Sequence, residues 1–102
     1  MIRVSPVPTE GAPALSLEVA WADGQFVLIV TDRGLVACGV VDKEVMDRFG
    51  AAIAIARGTP EHPLVTTDDL LNARIADVTG KAAALGVRAG MTGREALAIL
   101  SS

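Results

Sequence analysis

The sequence predicts an α+β domain in which an N-terminal antiparallel β-sheet of about four strands packs against a helical C-terminal half. Two observations lead to this prediction. Residues 2–41 contain alternating apolar residues separated by turn signals, whereas residues 42–102 contain threonine and aspartate caps ahead of short apolar stripes. A chain of 102 residues fits one domain, so we expect a single unit with a sheet region over 1–41 and a mainly helical region over 42–102.

The strands of the N-terminal region are predicted from alternation and from the turn residues between them. They cover residues 2–9, 14–21, 25–31 and 35–41. Pro6 and Pro8 are typical of an edge strand, because proline cannot donate a hydrogen bond to a neighbouring strand. Asp23-Gly24 suits a two-residue hairpin turn of type I′, and Asp32-Arg33-Gly34 a three-residue turn in which Gly34 takes a positive φ.

Pairing across the Asp23-Gly24 turn gathers large apolar side chains on one face of the sheet, which we expect to face the core. The pairs are Trp21 with Phe26, Val19 with Leu28, and Leu17 with Val30. The other face is mixed and holds Ala20 with Val27, Glu18 with Ile29, and Ser16 with Thr31. A half-apolar outer face is what a subunit interface needs, so we expect a homo-oligomer, a homotetramer ahead of a dimer.

The last strand of this region contains the only cysteine. If Thr31 pairs with Leu35, then Cys38 faces Leu28 and joins the apolar face. Gly39 follows inside an otherwise apolar run, where glycine marks close packing or the close approach of a ligand.

Capping residues predict the helices of the second half. Asp42 caps a first helix whose apolar stripe is Val45, Met46 and Phe49, and Gly50 ends it. Residues 51–57 are predicted as a fifth strand, with continuation of the helix as the alternative, and 58–65 as a loop. The later caps are Thr66 or Thr67, then Thr79, with Gly86 ending that helix, and Thr92 with Glu95 in a capping box.

The composition argues against several classes of function. The net charge is −3, basic residues form no cluster, and the aromatic residues are Trp21, Phe26 and Phe49 alone, so we expect no nucleic-acid partner. Apolar runs such as residues 26–30 are far too short to span a bilayer, and we expect no membrane partner. A single cysteine and the absence of an N-terminal apolar signal segment predict a cytoplasmic protein.

Five residues are candidates for a functional site. Cys38 would be a nucleophile and Asp42 a general base, while Gly39, Arg57 and His62 would bind a ligand whose identity the sequence does not reveal. Each has a structural alternative: a buried thiol, a helix cap, a packing glycine and two solvated surface side chains. One histidine and one cysteine without ligand spacing predict no metal site, and no motif predicts a cofactor.

Two hypotheses for function follow from these residues. The first is a non-catalytic homo-oligomer that binds a small ligand or a partner, because titratable groups are scarce in the apolar segments. The second is a small enzyme with a site at a subunit interface near Cys38, Asp42 and Arg57, which flank the connection from strand to helix.

Three segments together, GLVACGVVD, TTDDLLNARIADVT and AAALGVRAGMTGREALAIL, resemble the bacterial and archaeal YunC-like family, also known as the domain of unknown function DUF1805. The matching positions are Cys38-Gly39, Asp42, Asp69-Leu70-Leu71-Asn72, Val78-Thr79, Ala82, Leu85-Gly86, Gly90-Met91, Gly93 and Ala96-Leu97. The resemblance implies a tetramer assembled through the N-terminal sheet region and implies no particular activity.

Overall fold

The chain forms one six-stranded mixed sheet with four helices, described over residues 1–102 by a computed structural model. The elements are β1 (Ile2–Val7), β2 (Ala14–Trp21), β3 (Gly24–Val30), β4 (Leu35–Ala37), α1 (Lys43–Arg48), β5 (Ile53–Ala56), α2 (Thr67–Asn72), β6 (Ile75–Val78), α3 (Gly80–Ala84) and α4 (Gly93–Leu100). The strands lie in the order β1-β2-β3-β4-β5-β6, and only β4 and β5 are parallel. The predicted α+β class is confirmed, although β5 and β6 extend the sheet into the region predicted to be mainly helical.

The β2–β3 hairpin is paired two residues away from the predicted register. Trp21 pairs with Gly24, so the loop is Ala22 and Asp23, and neither has the positive φ of a type I′ turn. Gly24 is instead the first residue of β3. The indole of Trp21 lies against it, and an added Cβ would come within 2.6 Å of the ring. A shift of two residues leaves every side chain on its predicted face, because side chains alternate with a period of two.

The helices cover the mixed face of the sheet, which we call the inner face. Ser16, Glu18, Val27 and Ile29 are all buried there. The carboxylate of Glu18 tolerates burial because it accepts hydrogen bonds from the backbone N–H and the hydroxyl of Thr67, at 2.7 and 2.8 Å. The assignment of core and outer faces made from the sequence is therefore wrong, because the polar residues that argued against burial have partners.

The uniformly apolar side of β1–β3, which we call the outer face, has no helix over it. Its members are Ile2, Val4 and Pro6 of β1, Leu15, Leu17, Val19 and Trp21 of β2, and Phe26, Leu28 and Val30 of β3. Ile2 and Val4 have exposed fractions of 74% and 60%. The helix α1 packs on this side of the sheet but over β4 and β5, where Met46 contacts the cluster of Ala37, Ile53 and Ile55.

The pairing of β3 with β4 differs from the prediction by one residue. Leu35 pairs with Val30 rather than with Thr31, and the strand ends at Ala37 instead of continuing to Val41. A one-residue shift exchanges the faces. Every residue of this strand is therefore on the side opposite to the one predicted.

The turn between β3 and β4 is held by a side chain and not by a glycine with positive φ. The hydroxyl of Thr31 accepts hydrogen bonds from the backbone N–H groups of Arg33 and Gly34, at 3.2 and 3.0 Å. Gly34 does not have the predicted positive φ. It is required sterically, because a Cβ there would lie 2.2 Å from the carbonyl oxygen of Ala52.

The predicted strand–helix–strand unit is confirmed as β4, α1 and β5. Residues 53–56 form a buried strand rather than an extension of the helix. Asp42 caps α1 as predicted, since its side chain accepts from the N–H groups of Glu44 and Val45. The predicted apolar stripe does not make α1 a buried helix, because none of its own residues is buried and Phe49 is 78% exposed.

The strand β6 is the element missed from the sequence. It pairs antiparallel with β5 at the edge of the sheet. Its four residues are too few to show a clear alternation, and they stand directly between two capped helices.

The three remaining helices cover the inner face and begin at predicted caps. Thr66, Thr79 and Thr92 are the N-caps, and Thr66 and Thr92 belong to capping boxes. Gly93 brings α4 close to α2, because a Cβ there would lie 2.1 Å from the carbonyl oxygen of Leu70. No helix is both long enough and apolar enough to cross a bilayer.

Candidate functional site

Three of the five candidate residues lie together at the carboxyl ends of the parallel strands β4 and β5. Parallel neighbours have their carboxyl ends at the same edge, so Cys38 and Gly39 lie beside Arg57. Such edges are frequent ligand sites in sheets with parallel strands. Residues of the connection from β5 to α2 line a cleft on each side of this point.

The first cleft contains the thiol, and we call it the edge cleft. It has a volume of about 460 Å³ and is lined by Cys38, Gly39, Gln25 and Thr59 among others. Cys38 is 8% exposed. Its backbone N–H donates to the carbonyl oxygen of Val27, a residue of the inner face, at 3.2 Å. It does not face Leu28 as predicted. None of the other lining residues is titratable, so the edge cleft offers no base or cation to form a thiolate.

Gly39 lies beneath the side chain of Arg57 without being forced to be glycine. A Cβ on Gly39 would lie 3.5 Å from the Cγ atom of Arg57, which is an ordinary van der Waals contact. The guanidinium of Arg57 forms an ion pair with Asp77 of β6 at 2.6 Å. The positive charge of this candidate ligand-binding residue is therefore already paired within the chain.

His62 lines a different cleft, of about 340 Å³, together with Arg57, Asn72 and Arg74. The His62 side chain is exposed, and the residue is held through its backbone N–H, which donates to the hydroxyl of Thr59 at 3.0 Å. Asp42 lines none of the clefts. The structure thus groups Cys38 with Gly39 and Arg57 with His62, and leaves Asp42 as a helix cap.

The charged side chains Lys43 and Asp47 of α1 are also paired. A hydrogen bond from Lys43 to Asp47, at 2.9 Å, raises the pKa of the lysine. The pKa of Asp47 is lowered chiefly by the backbone N–H of Gly80, which donates to it at 2.8 Å. These contacts connect α1 to the start of α3. No group of three or more His, Cys, Asp or Glu side chains comes together.

Two polar residues with defined partners were not singled out from the sequence. Asp77 lies on β6, and without that strand its pairing with Arg57 could not be foreseen. Glu18 is a buried carboxylate, and the backbone N–H of Thr67, followed by the Thr67 hydroxyl, lowers its pKa. Its signal in the sequence is a lone acid within the alternating strand ALSLEVAW.

The fold and its clefts define an α+β protein with a mixed sheet that is covered by helices on one side and is open on the other over β1–β3. A family profile described as "Domain of unknown function (DUF1805)" matches residues 37–100. The chain is 32% identical over 97 residues to the uncharacterized protein YunC of Bacillus subtilis (strain 168), an alignment that covers 95% of each chain. The chain therefore belongs to the DUF1805 family, and the predicted YunC-like membership is confirmed.

The fold also matches that of a solved protein. The crystal structure of TA1206 from Thermoplasma acidophilum, a protein of unknown function, is similar with a TM-score of 0.87. The match covers 98% of this chain and 93% of that one at 19% sequence identity. It supports the fold alone.

The motif positions shared with the family serve folding in this structure. The hydroxyl of Thr79 donates to the carbonyl oxygen of Ala51 at 2.6 Å and accepts from the N–H of Ile53 at 2.9 Å. Asp69 completes the capping box of α2, and Gly93 allows α4 to approach α2. Gly86 follows α3 with a φ of 108°. These positions therefore have structural roles in this chain.

Proposed function

We propose that this chain is a non-catalytic, cytoplasmic binding protein that works as a homo-oligomer, a tetramer, assembled through the outer face of β1–β3. The observation that carries the proposal is the composition of that face, whose members are all uncharged and mostly large and apolar. Burying it against a second copy removes apolar surface from water without desolvating a charge.

The size of the outer face suits this role. Three strands of about seven residues span about 14 by 24 Å, or about 340 Å² in projection. This is comparable to the largest apolar patch of a typical monomer, which is often functional, and it is somewhat under half of the roughly 800 Å² that each partner contributes to a standard interface.

A second apolar region supports a tetramer rather than a dimer. A tetramer with dihedral symmetry needs two separate self-complementary patches. Val40, Val45 and Phe49 provide exposed apolar surface around α1, outside the outer face. We expect one patch to form the dimer and the other to join two dimers.

Light scattering coupled to gel filtration tests the assembly. We expect the wild-type chain at micromolar concentration to have about four times the mass of one 10.5 kDa chain. Val4→Glu combined with Leu15→Glu should reduce the mass to no more than that of two chains, because both side chains are exposed on the outer face while the surface around α1 is unchanged. Val65→Glu, an exposed valine next to α2, is the matched control and should leave the mass unchanged.

The result that would overturn the proposal is a wild-type mass of one chain. Retention of the multimer by Val4→Glu with Leu15→Glu would place the interface elsewhere. The circular dichroism spectrum of the double variant should match that of the wild type, since neither side chain belongs to the core of the chain.

The enzyme hypothesis is tested at its nucleophile. The non-catalytic proposal expects Cys38 to react with a maleimide or a disulfide reagent only slowly in the native protein and rapidly in denaturant, because the side chain is buried. Rapid native labelling with a depressed thiol pKa would favour an enzyme instead.

A further inference from the structure

The largest cleft of the molecule lies far from the edge cleft, between α4 and the connection from β1 to β2. It has a volume of about 540 Å³, which is within the range of small-molecule sites. One wall is a single face of α4, on which Arg94, Leu97 and Ser101 follow at helical spacing. The other wall contains Glu10, so this α4 cleft combines two different parts of the chain.

The cleft has an apolar floor. Val7 at the end of β1, Leu71 of α2 and Leu97 of α4 are its large apolar lining residues, and all three belong to the buried core. A floor of this kind favours an aliphatic ligand, because binding releases water from both surfaces.

The cleft has distinct ends. The connection is fixed at the C-terminal end of α4, where the backbone N–H of Ala12 donates to the carbonyl oxygen of Ser101 at 2.7 Å. Gly11 fits closely there, since a Cβ would lie 2.0 Å from the same oxygen. Glu10 is next to this fixed end. Arg94 lies in the first turn of α4, seven residues before Ser101, or about 10 Å along the helix axis.

The two charges of the cleft lack partners within the chain. Neither Arg94 nor Glu10 takes part in any of the three ion pairs or in any side-chain hydrogen bond. Both side chains are exposed, as are Glu44 and Asp68, whose carboxylates also have no side-chain partner. The unpaired cation and the unpaired anion therefore stand towards opposite ends of a cleft that has an apolar floor.

We propose that the α4 cleft binds an unbranched aliphatic molecule that carries a carboxylate at one end and an amine at the other. Arg94 binds the carboxylate through its planar guanidinium, Glu10 accepts from the amine, and Val7, Leu71 and Leu97 contact the chain between them. The inference specifies the ligand of the binding role proposed above and does not depend on the assembly.

Calorimetric titration of the full chain with 6-aminohexanoate tests the site. Hexanoate and hexylamine, each lacking one charge, should bind at least about tenfold more weakly, because each leaves one charged group without its partner. Leucine, whose two charges are adjacent, should also bind at least about tenfold more weakly. Equal affinity for any of these three compounds, or no binding of 6-aminohexanoate at millimolar concentration, would overturn the proposal.

Variants identify the cleft itself. Arg94→Ala and Glu10→Gln should each weaken the binding of 6-aminohexanoate at least about tenfold. Glu10→Gln should leave the affinity for hexanoate unchanged or slightly higher. Arg48→Ala removes an exposed arginine outside the cleft and should change nothing. An unchanged affinity in Arg94→Ala would refute the assignment. Light scattering on the same samples separates this outcome from a failure of assembly, since both cleft variants should retain the wild-type mass.

Discussion

The two faces of β1–β3 differ in composition and in burial, and the difference runs against simple hydrophobicity. The inner face contains a carboxylate and hydroxyl groups and is buried under helices, while the uniformly apolar outer face is open in a single chain. Glu18 can be buried because Thr67 supplies two donors. Burial within a chain is therefore decided by which elements reach a face and whether its polar groups find partners there.

The largest expected effect is a difference in the free energy of unfolding between variants of two neighbouring residues of β3. Ile29→Ala should lower the free energy of unfolding by about 2–5 kcal/mol, because its fully buried side chain leaves a cavity in the core. Val30→Ala, on the outer face, should change it by no more than about 0.5 kcal/mol. Urea unfolding in the Val4→Glu with Leu15→Glu background measures both without a contribution from assembly through the outer face. Equal losses of unfolding free energy in the two variants would contradict the assignment of a buried inner face and an open outer face.

The next effect concerns the buried carboxylate of the inner face. Glu18→Gln should lower the free energy of unfolding by about 1–3 kcal/mol, since the charged acceptor of two hydrogen bonds is lost. The pKa of Glu18 is lowered below its ordinary value of 4.5, so its stabilising contribution is present above that value and is lost as the pH falls through the folded-state pKa.

The measurement for this residue is a series of unfolding midpoints from neutral pH downwards. The wild type should lose stability on acidification more steeply than Glu18→Gln, and the two curves should converge at low pH. Parallel curves would show that the hydrogen bonds of Glu18 do not favour the ionised form. Thr67→Ala, which removes one donor but retains the backbone N–H, should lie between them.

A smaller effect compares the helix caps of the two sides. Thr92→Ala should lower the free energy of unfolding by about 1 kcal/mol, because Thr92 caps α4 and α4 covers the inner face. Asp42→Ala should lower the free energy of unfolding by a smaller amount, because α1 buries none of its residues. Thermal unfolding of the two variants provides the comparison. A larger loss for Asp42→Ala would mean that α1 is essential to the core.

The smallest effect is expected at Gly39. Gly39→Ala should leave stability within about 0.5 kcal/mol of the wild type, because a Cβ fits beside Arg57 and φ is not positive. A strongly destabilised variant, measured by the same thermal unfolding, would show that the backbone at the end of β4 needs glycine for a reason other than space.

The sequence predicted those features that depend on local chemistry. The caps at Asp42, Thr79 and Thr92 were recognisable because each needs only a side chain and the next backbone N–H groups. The strand over 53–56 was recognisable from its alternation. The division of the hairpin residues between two faces was also correct despite the incorrect turn, because the error was an even number of residues, although the choice of which face is the core was wrong.

The features that escaped prediction depend on residues distant in the chain. Glu18 is buried because of Thr67, and Asp77 pairs with Arg57 across a strand that is too short to recognise. The register of β4 depends on the contact between Gly34 and Ala52. Of the predicted grouping of Cys38, Asp42 and Arg57, the structure brings Cys38 near Arg57 and leaves Asp42 as a helix cap. The sequence could not show that the charge of Arg57 is paired with Asp77.

The position of Trp21 has a practical consequence. The only tryptophan of the chain lies at the tip of the β2–β3 hairpin, half-exposed on the outer face and edge-on to Phe26. Its indole would pass from water into an apolar contact when a second copy covers that face. The intrinsic fluorescence of the unlabelled protein should then shift to shorter wavelength with rising concentration, so that a simple dilution series reports the dissociation constant of the assembly.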